Sequence, residues 1–353
     1  MHPGSPGGDM QAVAIDRHGG PEVLAFRELP DPSPGPGEAR VRVRACALNH
    51  LDLWTRRGLP GLELRFPHVP GSDIAGEVER LPGPVDGIAV GQRVMLSPGT
   101  SCGRCRACLS GEDSSCRDYR ILGHHRPGGY GGLVVCPVAN LIPLPDSIGF
   151  EPAAAFPLVF LTAWHMLVTR ARLRPDEHVL IWAAGSGVGM AAVQIARLLG
   201  ARVIATAGTD AKLGRARELG ALHVLNHHAQ DVVAEVRRIT DKRGADVVFE
   251  HVGAATWERS VLALARGGRL VTCGATTGPA GITSLPHLFA KQLSLLGSFM
   301  GYKSELLAVA EHFFAGRLRP VVDRVLPLDE ARHAHEILEG SLQFGKIVLR
   351  HEG

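Results

Sequence analysis

The chain has 353 residues, enough for two domains with substantial cores. Hydrophobic residues make up 45% and charged residues 21%, an ordinary globular balance, and a net charge of +3 without any Lys or Arg run argues against nucleic acid or an anionic membrane as partner. No apolar stretch is long enough to span a bilayer, and "MHPGSPGGDM" lacks the apolar core of a signal peptide. Residues 1–9 therefore read as a disordered extension, and the expected location is cytoplasmic.

From Met10 to about Pro145, short β runs alternate with Gly and Pro: "QAVAID", "ARVRVRACALN", "DIAGEVER", "QRVML" and "GLVVCPVANLIPLP". This pattern predicts a twisted, barrel-like antiparallel domain. Within it, over residues 97–118, lies "CGRCRACLSGEDSSC", with thiols at C-x2-C-x2-C-x7-C. Cys102, Cys105, Cys108 and Cys116 at that spacing predict one closed, tetrahedral zinc site, because four thiolates leave no position open for substrate. The other three cysteines, Cys46, Cys136 and Cys273, lie in apolar strand-like runs and read as core residues.

A helical run is expected over Ala153–Val168. Beyond it, apolar strands alternate with helices: "HVLIWAA", "ARVIATA", "HVLNH", "ADVVFEHV", "RLVTCGA" and "LSLLGSF". Strand–helix–strand repetition predicts a parallel sheet covered on both faces, so the fold class is α/β. From Met300 a further helix leads to the closing strand "GKIVLR".

"IWAAGSGVGMAAVQIAR" sets a Gly-rich turn between the first of these strands and its helix. Gly185, Ser186, Gly187, Val188 and Gly189 leave room for a pyrophosphate against backbone N–H groups at a helix N-terminus. The next strand ends at Ala207, followed by Gly208 and Thr209, so no acid stands where an NAD ribose would need one. Asp210 is better read as a helix cap, and Lys212 as a partner for a 2′-phosphate. NADPH is the expected cofactor; the plainer reading of Lys212 is a solvated helix charge.

The barrel-like first domain, the four-Cys lobe, "AAGSGVG" and "FGKIVL" together resemble the medium-chain dehydrogenase/reductase superfamily, over nearly the whole chain. The resemblance implies a GroES-like catalytic domain (10–155), a Rossmann domain (156–299) and a segment (300–353) that returns to the catalytic domain. It also implies a homodimer joined through the strand near "LSLLGSF". Zinc alcohol dehydrogenases of this superfamily carry a second, catalytic zinc. At its expected ligand positions this chain has Asn49, Ser72 and Leu158, with Leu51 at the proton-relay hydroxyl and Asp73 at the neighbouring Glu. Such a set cannot hold a catalytic zinc.

"NHLD" is similar to the zinc-independent quinone oxidoreductases. That likeness implies catalytic roles for Asn49 and Asp52 at the nicotinamide; loop capping is the alternative. That branch often has a phenol two residues after the Asp, where this chain has Trp54. By the same likeness Thr162, Gly274, Ala275, Ser298, Phe299 and Lys346 approach the cofactor, with His227 near the adenosine phosphate. His124 and His125 read as an exposed, inert pair. The expected function is NADPH-dependent reduction of a small-molecule quinone or α,β-unsaturated carbonyl without a catalytic metal. The alternatives are a zinc-dependent alcohol dehydrogenase and a non-catalytic NADPH-binding protein.

Overall fold

The computed structural model describes residues 8–351 and divides the chain into two compact units: one ends at Leu158 and resumes at Arg319, the other is Val159–Leu318. The resemblance implies these boundaries at 155/156 and 299/300. The helix Lys303–Phe314 explains the later return. It buries Leu306, Val309, Ala310 and Phe313, and its Glu305 accepts hydrogen bonds from His165 and Thr169 in the second unit. Of the extension expected over residues 1–9, the first seven lie outside the described residues. Asp9 already begins the strand Asp9–Ala14, paired antiparallel with Ala25–Pro30.

The first unit is organised by the strand Glu38–Ala47. Its Ala39, Val41, Val43 and Ala45 are buried at every second position, and the arginines between them face outward. Arg40 and Arg44 pair there with Glu79 and Glu77 of the antiparallel neighbour Asp73–Arg80. On its other edge Glu38–Ala47 takes the closing strand Lys346–Arg350. The register sets Ala47 opposite both Asp73 and Val348, so the ends of three strands distant in sequence meet. A one-residue slip would turn Asp73 to the other face.

The helical run expected over Ala153–Val168 is split. A short helix, Phe150–Ala154, stops before Pro157, which opens a new helix, Pro157–Trp164, continued by a π-helical turn over His165–Arg170. Proline lacks the N–H that a continuous helix would need and fits a first helical turn.

The second unit holds a six-stranded parallel sheet. Its strands, in spatial order, are His223–Asn226, Arg202–Ala207, His178–Ile181, Ala245–Glu250, Leu264–Thr272 and Ser294–Gly297. Counted along the chain the order is third, second, first, fourth, fifth, sixth, which is the Rossmann arrangement. Leu180, Ile204, Val248 and Leu270, one from each inner strand, are fully buried in one cluster with Val232, Val236 and Val261 of the helices Val232–Ile239 and Trp257–Ala263. No helix among the described residues is long and apolar enough to cross a membrane.

Candidate active site and cofactor edge

The three strand ends of the first unit carry a closed polar cluster. Asp73 accepts hydrogen bonds from Asn49 Nδ2 (2.9 Å), Lys346 Nζ (2.9 Å) and the backbone N–H of Leu158 (2.8 Å). Lys346 also donates to Asn49 Oδ1 at 2.6 Å. All three side chains are buried, Lys346 being 2% exposed and Asp73 fully enclosed. An ammonium and a carboxylate removed from water need this mutual pairing, since either alone would be costly.

Asn49 also caps the helix His50–Arg57, and Asp52 serves that turn. Its carboxylate accepts the N–H of Asn49 at 2.7 Å and that of Gly71 at 3.2 Å. Burial pushes the Asp52 carboxyl up to about 7, against the two N–H donors and Lys346, while Asp73 adds to the rise. Gly71 has φ +99°, and a Cβ there would lie 2.5 Å from the Tyr130 ring and 2.7 Å from Cys46 Sγ. Only glycine fits between them. The Cys46 thiol, enclosed beside Asp52 and Asp73, is pushed well above its usual range and stays neutral.

Asn49, Ser72 and Leu158, separated in sequence, thus gather around Asp73. They supply an amide, a hydroxyl and an aliphatic chain, and the Asp73 oxygens are already engaged. This donor set does not fit a catalytic zinc; the fixed positive charge is the ammonium of Lys346. The Ser72 hydroxyl is buried, with no hydrogen-bond partner among the described residues. Lys346 was expected beside the cofactor, and its partnership with Asn49 and Asp73 has no local signal in the sequence. His124 departs from its expected exposure: it is buried, and its Nδ1 lies 2.7 Å from Thr55 Oγ1 on the Asn49-capped helix. Neighbouring His125 is exposed.

In the second unit the expected cofactor residues collect along one edge, at the carboxyl ends of the parallel strands. Gly185–Gly189 join His178–Ile181 to the helix Gly187–Leu198, where the Ser186 side chain caps by accepting the N–H of Gly189 at 3.0 Å. A Cβ on Gly189 would stand 2.5 Å from the Ala183 carbonyl, so this glycine permits close packing of helix on strand. Gly208 and Thr209 follow Arg202–Ala207, and Thr209 caps the helix that carries Lys212 in its first turn. Asp210 lies in that first turn too. His227 follows His223–Asn226, Gly274 and Ala275 follow Leu264–Thr272, and Ser298 and Phe299 follow Ser294–Gly297. Thr162 is buried on the helix Pro157–Trp164. The glycine loop and the open strand tip fit a dinucleotide. Sequence reasoning missed Trp182 and Arg259 at this edge: the Arg259 guanidinium sits 5.1 Å over the indole.

The four-Cys lobe is held at its base by the paired strands Gly99–Thr100 and Arg120–Ile121. The Sγ atoms of Cys102, Cys105, Cys108 and Cys116 lie within 4.8 Å of one another, the Cys105–Cys108 pair at 3.6 Å and Cys102–Cys108 at 3.9 Å. Four thiolates about a zinc at roughly 2.3 Å would sit roughly 3.8 Å apart, so these residues fit that ion. No other group of three or more potential His, Cys, Asp or Glu ligands occurs among the described residues.

Residues 35–146 match the alcohol dehydrogenase GroES-like domain family, and residues 187–315 the zinc-binding dehydrogenase family. The chain is 34% identical to the quinone oxidoreductase of Pseudomonas aeruginosa over 96% of its own length and 98% of that protein. It is 29% identical to the quinone oxidoreductase of Pongo abelii, over 96% and 97%. Among solved structures, an NAD-dependent alcohol dehydrogenase is 50% identical, covering 97% of this chain and 99% of that one with a TM-score of 0.94. On these matches, and on a GroES-like unit joined to a Rossmann sheet, the chain belongs to the medium-chain dehydrogenase/reductase superfamily of oxidoreductases.

Proposed function

We propose that this chain is an NADPH-dependent reductase that delivers hydride to a quinone or an α,β-unsaturated carbonyl without a catalytic metal. The observation that supports the reading is the buried Asn49–Asp73–Lys346 cluster, in which Asn49, at one of the positions the resemblance gives to a zinc ligand, is tied to an internal ion pair. Reducing an isolated ketone concentrates charge on one oxygen and calls for a Lewis acid or a strong proton donor. Hydride addition to a conjugated acceptor spreads that charge through an enolate or hydroquinone, and neutral donors suffice.

NADPH, when bound, supplies the hydride. The chain's own residues bind and orient. The Gly185–Gly189 turn receives the pyrophosphate, and Lys212, with no acid at the strand tip, favours a 2′-phosphate. Asn49, held by Lys346 and Asp73, presents its remaining amide hydrogen, with Ser72 as a second donor for the substrate oxygen. Asp52 positions Asn49 and Gly71 through their N–H groups. Support for the acceptor class comes from the quinone oxidoreductases that share about a third of the sequence.

A second reading, alcohol oxidation with NAD, is favoured by the activity named for the solved structure of 50% identity. Steady-state assays separate the two. NADPH oxidation with 1,2-naphthoquinone or an enone, insensitive to added zinc, is the expected result. Alcohol oxidation with NAD that rises on adding zinc would replace the reading. Tight NADPH binding with no turnover across a broad acceptor panel would make this a cofactor-binding protein.

A further inference from the structure

We infer that Arg259, on the helix Trp257–Ala263, is a specificity-determining residue that joins Lys212 in a cationic subsite for the 2′-phosphate of NADPH. The inference rests on the reading that the chain uses NADPH.

Three elements bring the charges together. Trp182 directly follows the strand His178–Ile181 and stands just before the glycine turn; its ring lies 6.2 Å from that of His227, which follows His223–Asn226. Arg259 lies over the same indole at 5.1 Å and is fixed from behind by a 2.9 Å hydrogen bond from Nη2 to the Ala255 carbonyl. Lys212 lies in the first turn of the helix after Arg202–Ala207, its N–H capped by Thr209. Gly208 leaves room beside the two histidines: a Cβ there would lie 2.9 Å from His228 Nε2 and 3.4 Å from His227 Nε2.

His227 senses both cations. Burial, then His228, Arg259 and Lys212, hold its imidazole down at about 4, while its Nδ1 stays 3.3 Å from Thr206 Oγ1. Arg259 makes no ion pair among the described residues. A guanidinium stacked on an aromatic face, without an ion pair among the described residues and beside a strand tip without an acid, is arranged for an anion from outside the protein. The planar fork of arginine matches two phosphate oxygens at once. A cofactor lacking the 2′-phosphate gains nothing from that fork. Arg259 thus acts on the choice between the two nicotinamide cofactors and leaves the hydride-transfer step unchanged.

The test is titration of the full chain with NADPH, NADH, 2′,5′-ADP and 5′-AMP. For Arg259→Gln, NADPH and 2′,5′-ADP should bind about tenfold more weakly, while NADH and 5′-AMP change by less than about twofold, the pattern of one lost charge-assisted phosphate contact. Arg259→Lys, which keeps the charge and the packing stem, should recover part of the loss. A uniform loss for all four ligands in Arg259→Gln, or none, while the wild type still prefers 2′,5′-ADP to 5′-AMP, overturns the role of Arg259 alone. A wild type that binds 2′,5′-ADP no tighter than 5′-AMP overturns the NADPH reading together with it.

Discussion

Lys346 Nζ lies 2.9 Å from Asp73 Oδ2, in a pair sealed from water and separated by most of the chain. Its closure by Asn49 makes the three side chains one unit. Replacing Lys346 with Met would leave Asp73 buried without its counter-charge, a loss of about 3–5 kcal/mol. Adding Asp73→Asn should recover much of it, because the amide oxygen still accepts the Leu158 N–H. Denaturant unfolding of the single and double variants measures this; a double variant no more stable than Lys346→Met would show that the pair is not a coupled unit.

Asn49→Ala should slow hydride transfer by about 10²-fold, the scale of one lost preorganised donor, and change NADPH affinity little. The amide acts mainly on the charge that forms in the transition state. Single-turnover kinetics give the answer: an unchanged transfer rate would make Asn49 a helix cap and nothing more.

The chain should carry one zinc, in the Cys102–Cys116 lobe, and that ion should serve stability. Cys105→Ser should lose the zinc and lower the thermal midpoint by several degrees. Its folded fraction should keep reducing an acceptor, since the strands Gly99–Thr100 and Arg120–Ile121 still close the base of the lobe. Elemental analysis showing two zinc ions per chain, with activity following the weaker one, would return the catalysis to a metal.

Stability should fall as the pH drops below about 6.5. His335 is fully buried, its Nδ1 3.2 Å from Arg56 Nη1 and its Nε2 3.0 Å from the Tyr130 hydroxyl. Burial first, then Arg56 and Arg57, hold its imidazole down at about 3, and burial holds buried His124 at about 4. At these two histidines the unfolded chain therefore binds more protons than the folded one between pH 6.5 and these values, so each favours unfolding in acid, while Asp52, raised to about 7, holds its proton in the folded chain and offsets about one of them. Each such histidine contributes a slope of about 1.4 kcal/mol per pH unit across its window. His335→Gln, which can still accept from Arg56 and donate to Tyr130, should flatten the stability–pH curve below pH 6.5. An unchanged slope would assign the acid sensitivity elsewhere.

The protein should form a homodimer through the edge strand Ser294–Gly297. That strand ends the parallel sheet, and exposed Ile282, Leu285 and Phe289 precede it. An open edge flanked by apolar side chains favours pairing across a two-fold axis. Phe289→Glu should shift sedimentation toward the monomer. A wild type that sediments as a monomer at micromolar concentration would contradict this.

What the sequence determined by itself was local and periodic. Alternating Arg and Val in "ARVRVRACA" define a half-buried strand, strand–helix alternation after residue 170 defines the parallel sheet, and Cys102 to Cys116 define a four-thiol lobe within a single loop. Those signals survive without tertiary information because each depends on residues a few positions apart. The resemblance to the superfamily, not a local pattern, sets Asn49, Ser72 and Leu158 at the positions where its zinc enzymes carry ligands. Only the tertiary structure decided what surrounds them. Lys346 meets Asp73 because two antiparallel registers align Ala47 with both Asp73 and Val348, and no local pattern encodes a contact across 273 positions. The same holds for Arg259 over Trp182 and for His124, whose polar type and turn-rich surroundings suggest exposure while the fold buries it against Thr55. Polar residues buried in pairs carry no hydrophobic periodicity, so the sequence is silent on them until their partners are brought together.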